Sequence, residues 1–158
     1  MKSRNVVHAT TVVEHLYGAP PETIFDAFAD AAKRRQWDLP GDDGWELADL
    51  QQDFRVGGRL SSRFGPKGDA RHWDEGTYLD IEPNVRIVSA GTMHDGEIRA
   101  TLTLCTVEFQ KEGGGTRVRL TDQSAFLDGR ESPDDRKTGW GEILDRLENY
   151  LRSNPGAR

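Results

Sequence analysis

Asp122 is the residue whose surroundings most suggest chemistry. It falls in the alternating run Val118, Leu120, Asp122, Ser124, Phe126, whose members share one face of a strand, so its carboxyl lies on the apolar side of a sheet. A carboxyl there resists ionisation, which suits it to anchor a ligand hydroxyl or to move a proton. Carboxylates are seldom buried without a partner, so the preferred reading is structural: Asp122 bonds backbone amides or a nearby arginine at the open end of the sheet. His72 with Asp74, and His94 with Asp95, are of the right types for metal binding or general-base work. Each histidine sits next to a turn or loop, and neither pair brings the three or four ligands of a zinc site, so surface histidines are expected. Cys105 has no base beside it in its strand and is expected to be a small buried hydrophobe. Gly113-Gly114-Gly115 is followed by no Lys-Ser/Thr and opens no helix, which makes it a hairpin tip and not a phosphate loop. Arg55, Arg59 and Arg63 lie beside an open turn and are as well explained by solvated cross-strand pairs as by an anion patch. With four histidines and one cysteine, no metal and no organic cofactor is expected.

The elements that must hold these residues can be read from punctuation and period. A β-branched and aromatic run over 11–17 predicts a first strand, ended by Gly18-Ala19-Pro20-Pro21. The prolines suit a helix start, and Ile24, Phe25 and Phe28 then recur on one helical face. Asp30 can cap a second short helix over 31–37, before Pro40-Gly41-Asp42-Asp43-Gly44 breaks the pattern. Six strands follow, near 46–54, 58–64, 72–82, 85–93, 98–110 and 116–126, joined by turns such as Gly57-Gly58, Pro83-Asn84 and Asp95-Gly96 that favour hairpins and an antiparallel sheet. In the strand over 98–110, Ala100, Leu102 and Leu104 are read as facing inward. Val107 and Phe109 have the opposite parity, which predicts a bulge near Cys105-Thr106. Ser132-Pro133-Asp134-Asp135 is a strong helix start, and Trp140, Leu144, Leu147 and Leu151, widened by Ile143 and Tyr150, form the apolar stripe of a helix over 134–151. The folded core is expected over about 10–151, with flexible ends at 1–9 and 152–158.

Composition narrows the classes of function. The 158 residues are 35% hydrophobic and hold 17 glycines, the make-up of one globular domain. No apolar run approaches the ~20 residues of a membrane span, and no secretory segment is recognisable at the N-terminus, so membrane insertion is not expected. A single cysteine agrees with a reducing compartment, and the cytoplasm is the expected one. A net charge of −6, from 21 basic and 27 acidic residues, weighs against nucleic acid as a partner.

The order β-α-α-β(six)-α resembles the helix-grip α+β fold of the START-like (SRPBCC) superfamily. Local motifs narrow the resemblance to the activator of heat-shock-protein-90 ATPase-like family. They are Trp37, Asp53-Phe54-Arg55-Val56-Gly57-Gly58-Arg59, Gly76-Thr77-Tyr78-Leu79-Asp80-Ile81-Glu82-Pro83 followed by Arg86-Ile87-Val88, and Gly115-Thr116-Arg117-Val118-Arg119-Leu120. Gly139-Trp140, opening into Leu144-Asp145-Arg146-Leu147, completes the series, and Asp122-Gln123 and Phe126-Leu127-Asp128-Gly129 precede the last helix as in many relatives.

The resemblance implies a seven-stranded curved sheet wrapped round the last helix, with a cavity that in the superfamily receives lipids, sterols, polyketides or other greasy molecules. Trp37, Phe54, Phe64, Trp73, Tyr78, Met93, Leu102, Leu104, Leu120, Asp122, Phe126, Trp140 and Leu144 are the expected lining. Ser89 and Gly91 stand where relatives often carry bulkier residues, and are expected to enlarge the cavity. Three function classes follow. The first is a binding protein for a small apolar or amphipathic molecule. The second is an enzyme of the cyclase or hydrolase kind, in which Asp122, Tyr78 or His72 would orient or deprotonate the substrate. The third is a co-chaperone of a heat-shock ATPase, ranked last because the larger proteins behind that name carry a separate N-terminal domain for which 158 residues leave no room. A homodimer stays open beside a monomer.

Overall fold

A computed structural model describes residues 4–38 and 44–155. Strand β1, Val6–Tyr17, leads into helices α1, Pro21–Ala29, and α2, Ala31–Trp37. Strands β2, Trp45–Gln52, β3, Arg59–Pro66, β4, His72–Glu82, β5, Arg86–Asp95, β6, Ile98–Glu112, and β7, Gly115–Leu127, follow, and helix α3, Pro133–Ser153, closes the chain. The seven strands form one sheet in the order β1-β7-β6-β5-β4-β3-β2, so every hairpin neighbour in sequence is a neighbour in space and β1 closes onto β7. All pairings are antiparallel. This is the helix-grip α+β architecture anticipated above.

Local signals act as expected at the helix starts. Asp30 caps α2 by accepting from the amides of Ala32 and Lys33 at 2.9 and 3.3 Å. The Ser132 hydroxyl accepts from the Asp135 amide at 3.0 Å and so caps α3, with Pro133 at the first helical position. The first strand is longer than read: it begins at Val6, because residues 6–9 continue the ladder with β7 through Leu127 to Ser124. The predicted break at 40–43 lies outside the described residues. One core runs under the sheet, from Tyr17, Ile24, Phe25 and Phe28 through Val107, Phe109, Val118 and Leu120 to Leu144, Leu147 and Leu151. Aromatic edges tie its helical end together: Phe28 meets Trp37 and Phe109 with ring centres 5.0 and 5.6 Å apart.

The bulge expected near Cys105-Thr106 is absent. The β6–β7 register runs without a break from Glu112 to Thr101, so Thr101, Thr103, Cys105, Val107 and Phe109 share the inner face. The register shifts instead between Met93 and His94, where Ala100 is the extra residue of β6, and between Tyr78 and Asp80, and between Leu47 and Asp49. These three irregularities increase the coiling of the β2–β5 half of the sheet.

Candidate functional site

At backbone level α3 lies against β1 and α2 and stands off β2 to β5. The space left between them holds two connected hollows. The inner chamber, about 140 Å³, is enclosed by Phe28, Phe54, Tyr78, Leu120, Cys105 and Met93. The outer cleft, about 500 Å³, is bounded by Leu47, Phe64, His72, Ala100, Ile143 and Arg146. Arg34, Leu60, Asp74, Met93, Arg136 and Trp140 face both, and form the neck between them.

Two polar groups stand at this neck, and they differ in how fully they are satisfied. Arg136 donates to Thr103, Asp122 and Ser124 from Nη1, to Thr101 and Glu131 from Nη2, and to Glu131 from Nε, at 2.6 to 3.4 Å. Burial opposes its charge, but Glu131 and Asp122 outweigh that and hold its pKa above the ordinary value. Asp122 is wholly buried; its Oδ2 accepts from Trp140 Nε1 at 2.7 Å and from Arg136 at 3.0 Å, and its Oδ1 accepts from Ser124. This network clamps the first turns of α3 to β6 and β7.

The second group, on α2, β3 and β4, is looser. Arg34 donates from Nε to Asp38 and from Nη1 to Gln52, both at 3.2 Å, and the Tyr78 hydroxyl donates to the same Gln52 oxygen at 2.7 Å. Asp74 accepts from the Ser62 hydroxyl at 2.7 Å through Oδ1. Burial pushes the Asp74 carboxyl up, against the Ser62 hydrogen bond and the Arg34 charge that pull it down. Burial likewise raises the Tyr78 phenol. The Cys105 thiol is pushed up to about 12 by burial, with the Asp122 charge adding to it.

The predicted lining divides into three groups. Phe54, Tyr78, Ser89, Gly91, Met93, Leu120 and Trp140 do border the chamber, and Phe64 and His72 border the cleft. Trp37, Phe126, Leu144 and Asp122 point inward but lie behind the wall. Trp37 donates to the Ala27 carbonyl at 3.1 Å in the helical core, Leu144 is in that core too, and Phe126 lies under the Arg136 guanidinium. Leu102, Leu104 and Trp73 are corrected: they are on the outer face of the sheet. Leu102 and Leu104 pair across β5 with Thr92 and Ala90, are 41% and 37% exposed, and border an open depression with His8, Thr10 and Gln123. Trp73 stacks on His94 with ring centres 3.7 Å apart and donates to the Gly96 carbonyl.

The expectation of surface histidines fails at His94, which is buried and stacked on Trp73. His72 is stacked between Trp45 and Phe64, and among the described residues no three His, Cys, Asp or Glu side chains converge as ligands. Gly91 also has a different reason for its size. A Cβ there would lie 2.1 Å from the Glu75 carbonyl oxygen, so the glycine serves the close approach of β4 and β5.

Arg34 and Arg136 are the site residues the sequence reading missed, and Asp74, considered there only as a partner of His72, is set aside by it. Asp74 shares the inner face of β4 with His72 and Tyr78, so the parity that singled out Asp122 applies to it as well. Arg136 is four residues before Trp140 on the apolar stripe of α3, and a charge on such a stripe is itself a signal. For Arg34 the sequence offers none.

A helix gripped by an antiparallel sheet, with a hollow between them, defines the class of protein. The model of the "Activator of Hsp90 ATPase homolog 1-like protein" family matches residues 18–152, and the chain belongs to that family. Its structure is similar to that of a Rhizobium leguminosarum protein, with 36% identity, a TM-score of 0.87, and 96% of this chain and 99% of that one covered. A Rhizobium loti protein is 37% identical with a TM-score of 0.83, covering 93% and 99%. A Chromobacterium violaceum protein at 23% identity shares the fold, with a TM-score of 0.77 and coverage of 89% and 94%. No curated protein matches the sequence significantly.

Proposed function

We propose that the protein binds a small hydrophobic or amphipathic molecule, in the cytoplasm, in the cavity between the sheet and α3. The observation that carries this reading is the inner chamber: at about 140 Å³ it is close to the ~150 Å³ of an apolar cavity that takes up benzene, and it opens through a neck into a larger cleft. A well-packed core leaves no such space. N-phenyl-1-naphthylamine, a neutral dye that brightens in apolar surroundings, should bind saturably at one site. Ser89→Phe, which places a ring in the chamber from the inner face of β5, should abolish binding with the circular dichroism unchanged. Leu104→Asp on the outer face should leave binding intact. Equal binding to the Ser89→Phe variant would put the dye elsewhere and end the cavity reading.

An enzyme of the cyclase or hydrolase kind in the same cavity is the second reading. Asp122 is ill suited to it, because three donors already hold its carboxylate. The observation in its favour is Asp74, a carboxyl with a raised pKa facing both hollows. Loss of turnover on a candidate substrate in Asp74→Asn, with binding kept, is the result that supports it.

A further inference from the structure

We propose that Asp74 and Arg34 are the polar recognition site of this cavity, and that they select neutral ring-bearing molecules carrying a hydroxyl next to a carbonyl. The inference rests on the cavity-binding reading and adds the chemistry of the ligand.

Both residues face the chamber and the cleft alike, so any molecule that fills the chamber and extends outward passes between them. Ser62 holds the Asp74 carboxyl through its hydroxyl, on Oδ1, and through its amide, and among the described residues no side chain bonds Oδ2. Arg34 bonds Asp38 from Nε and Gln52 from Nη1 and is also hydrogen-bonded to the Tyr78 hydroxyl, which leaves part of the five-donor guanidinium to face the neck. No ion pair joins Arg34 to Asp74, although each feels the other's charge. The neck therefore presents an open acceptor on one wall and an open donor on another. A group with a donor and an acceptor on adjacent carbons complements both at once.

Charge sets the sign of the ligand. Asp38 already balances Arg34 at 3.2 Å, and Asp122 and Glu131 balance Arg136. A carboxylate or phosphate entering the neck would meet Asp74 and Asp38 as like charges, and an ammonium would meet Arg34 and Arg136. A neutral head meets neither penalty. Size sets the rest: the chamber holds one ring among Phe54, Tyr78, Leu120 and Met93, and any remaining part of the molecule lies in the cleft.

Displacement of N-phenyl-1-naphthylamine by three probes at pH 7.5 tests this. The probes are 2-hydroxy-1-phenylethanone, which is neutral with adjacent hydroxyl and carbonyl, propylbenzene, which has the ring and no head, and benzoate, which has an anionic head. The hydroxyketone should displace the dye at a concentration about tenfold lower than propylbenzene, as one or two hydrogen bonds permit, and benzoate should fail. Asp74→Leu should erase the tenfold preference while propylbenzene keeps its affinity. Asp74→Asn, isosteric and still able to bond Ser62, should gain benzoate by about tenfold, since the repelling carboxylate is gone. If the dye binds but all three probes compete equally, or if the hydroxyketone preference survives in Asp74→Leu, the recognition site is overturned and the cavity reading stands. If benzoate competes with the native protein as well as the hydroxyketone does, selection for neutral heads is overturned. If the dye does not bind at all, the cavity reading falls and this one with it.

Discussion

Three titratable side chains near the cavity show how burial and partners set different fates for similar groups. Asp122 is buried but has three donors, so it stays in place as a strut. Asp74 is held by Ser62, whose hydroxyl donates at 2.7 Å, and burial outweighs that. Its folded pKa is raised, so in the window between the unfolded value and the folded one the native state holds more protons than the unfolded chain. Stability contributed by the protonated form is therefore present at low pH and lost as pH rises through the folded pKa. Asp74→Asn should melt at a higher temperature than the native protein at pH 7.5, and the gap should narrow as pH falls toward 4; a variant less stable at every pH contradicts this. Burial and the Asp122 charge push the Cys105 thiol up to about 12, against a smaller pull from Arg34 and Arg136. It should resist iodoacetamide at pH 8 in the native protein and react at once in denaturant, as followed by mass spectrometry. Rapid labelling of the native protein would mean that the chamber opens more readily than its walls suggest.

At the level of elements, α3 is held at its start by charge and along its length by apolar contact. Arg136 reaches Thr101 and Thr103 on β6, Asp122 and Ser124 on β7, and Glu131 just before the helix. Arg136→Met leaves Asp122 and Glu131 without their cation, and breaking a buried pair in this way costs about 3–5 kcal/mol. Urea unfolding should show that loss, whereas Arg119→Ala, whose side chain is 55% exposed, should change the midpoint far less. The same contact explains where sequence reading succeeded and failed. Caps and turns were readable because they act locally: Asp30 and Ser132 start their helices in any context. The facing of β6 was not. The larger side chains Leu102 and Leu104 invite an inward reading, but the inner positions are Thr101, Thr103 and Cys105 because a guanidinium and a hollow lie against them. Hydrophobic patterning assigns the core face correctly when that face meets a core, and β6 meets one at Val107 and Phe109 and, in part, at Cys105. Gly91 misled for a related reason. Its size reflects a backbone approach between β4 and β5 that leaves no mark in one sequence, so a side chain placed there would strain the sheet before it filled the cavity.

Across the whole molecule the grip is one-sided, and this links packing to motion. Helix α3 lies on β1 and α2, with Leu144, Leu147 and Leu151 buried alongside Val118 and Leu120, while β2 to β5 arch away and the three register shifts lie between β2 and β6. The β6, β7 and α3 side holds half of the buried hydrophobic residues, and the β2–β3 edge borders the cleft with few buried side chains of its own beyond Leu50. Regions with fewer buried contacts open at lower free energy. Amide hydrogen exchange of the native protein should accordingly be slowest in β6, β7 and α3 and fastest in β2 and β3. A molecule seated in the chamber contacts β3, β4, β5 and α3 together, so it couples the arch to the helix and lowers the energy of the closed form relative to the open one. Saturating N-phenyl-1-naphthylamine should then slow exchange in β3 to β5 well beyond the change in β1 and β7. Uniform protection in the free protein would show that the sheet opens as a unit. Protection centred on β1, β7 and β6 would instead place the dye in the open depression beside Leu102 and Leu104, where the wall is solvent-exposed and no helix closes over it.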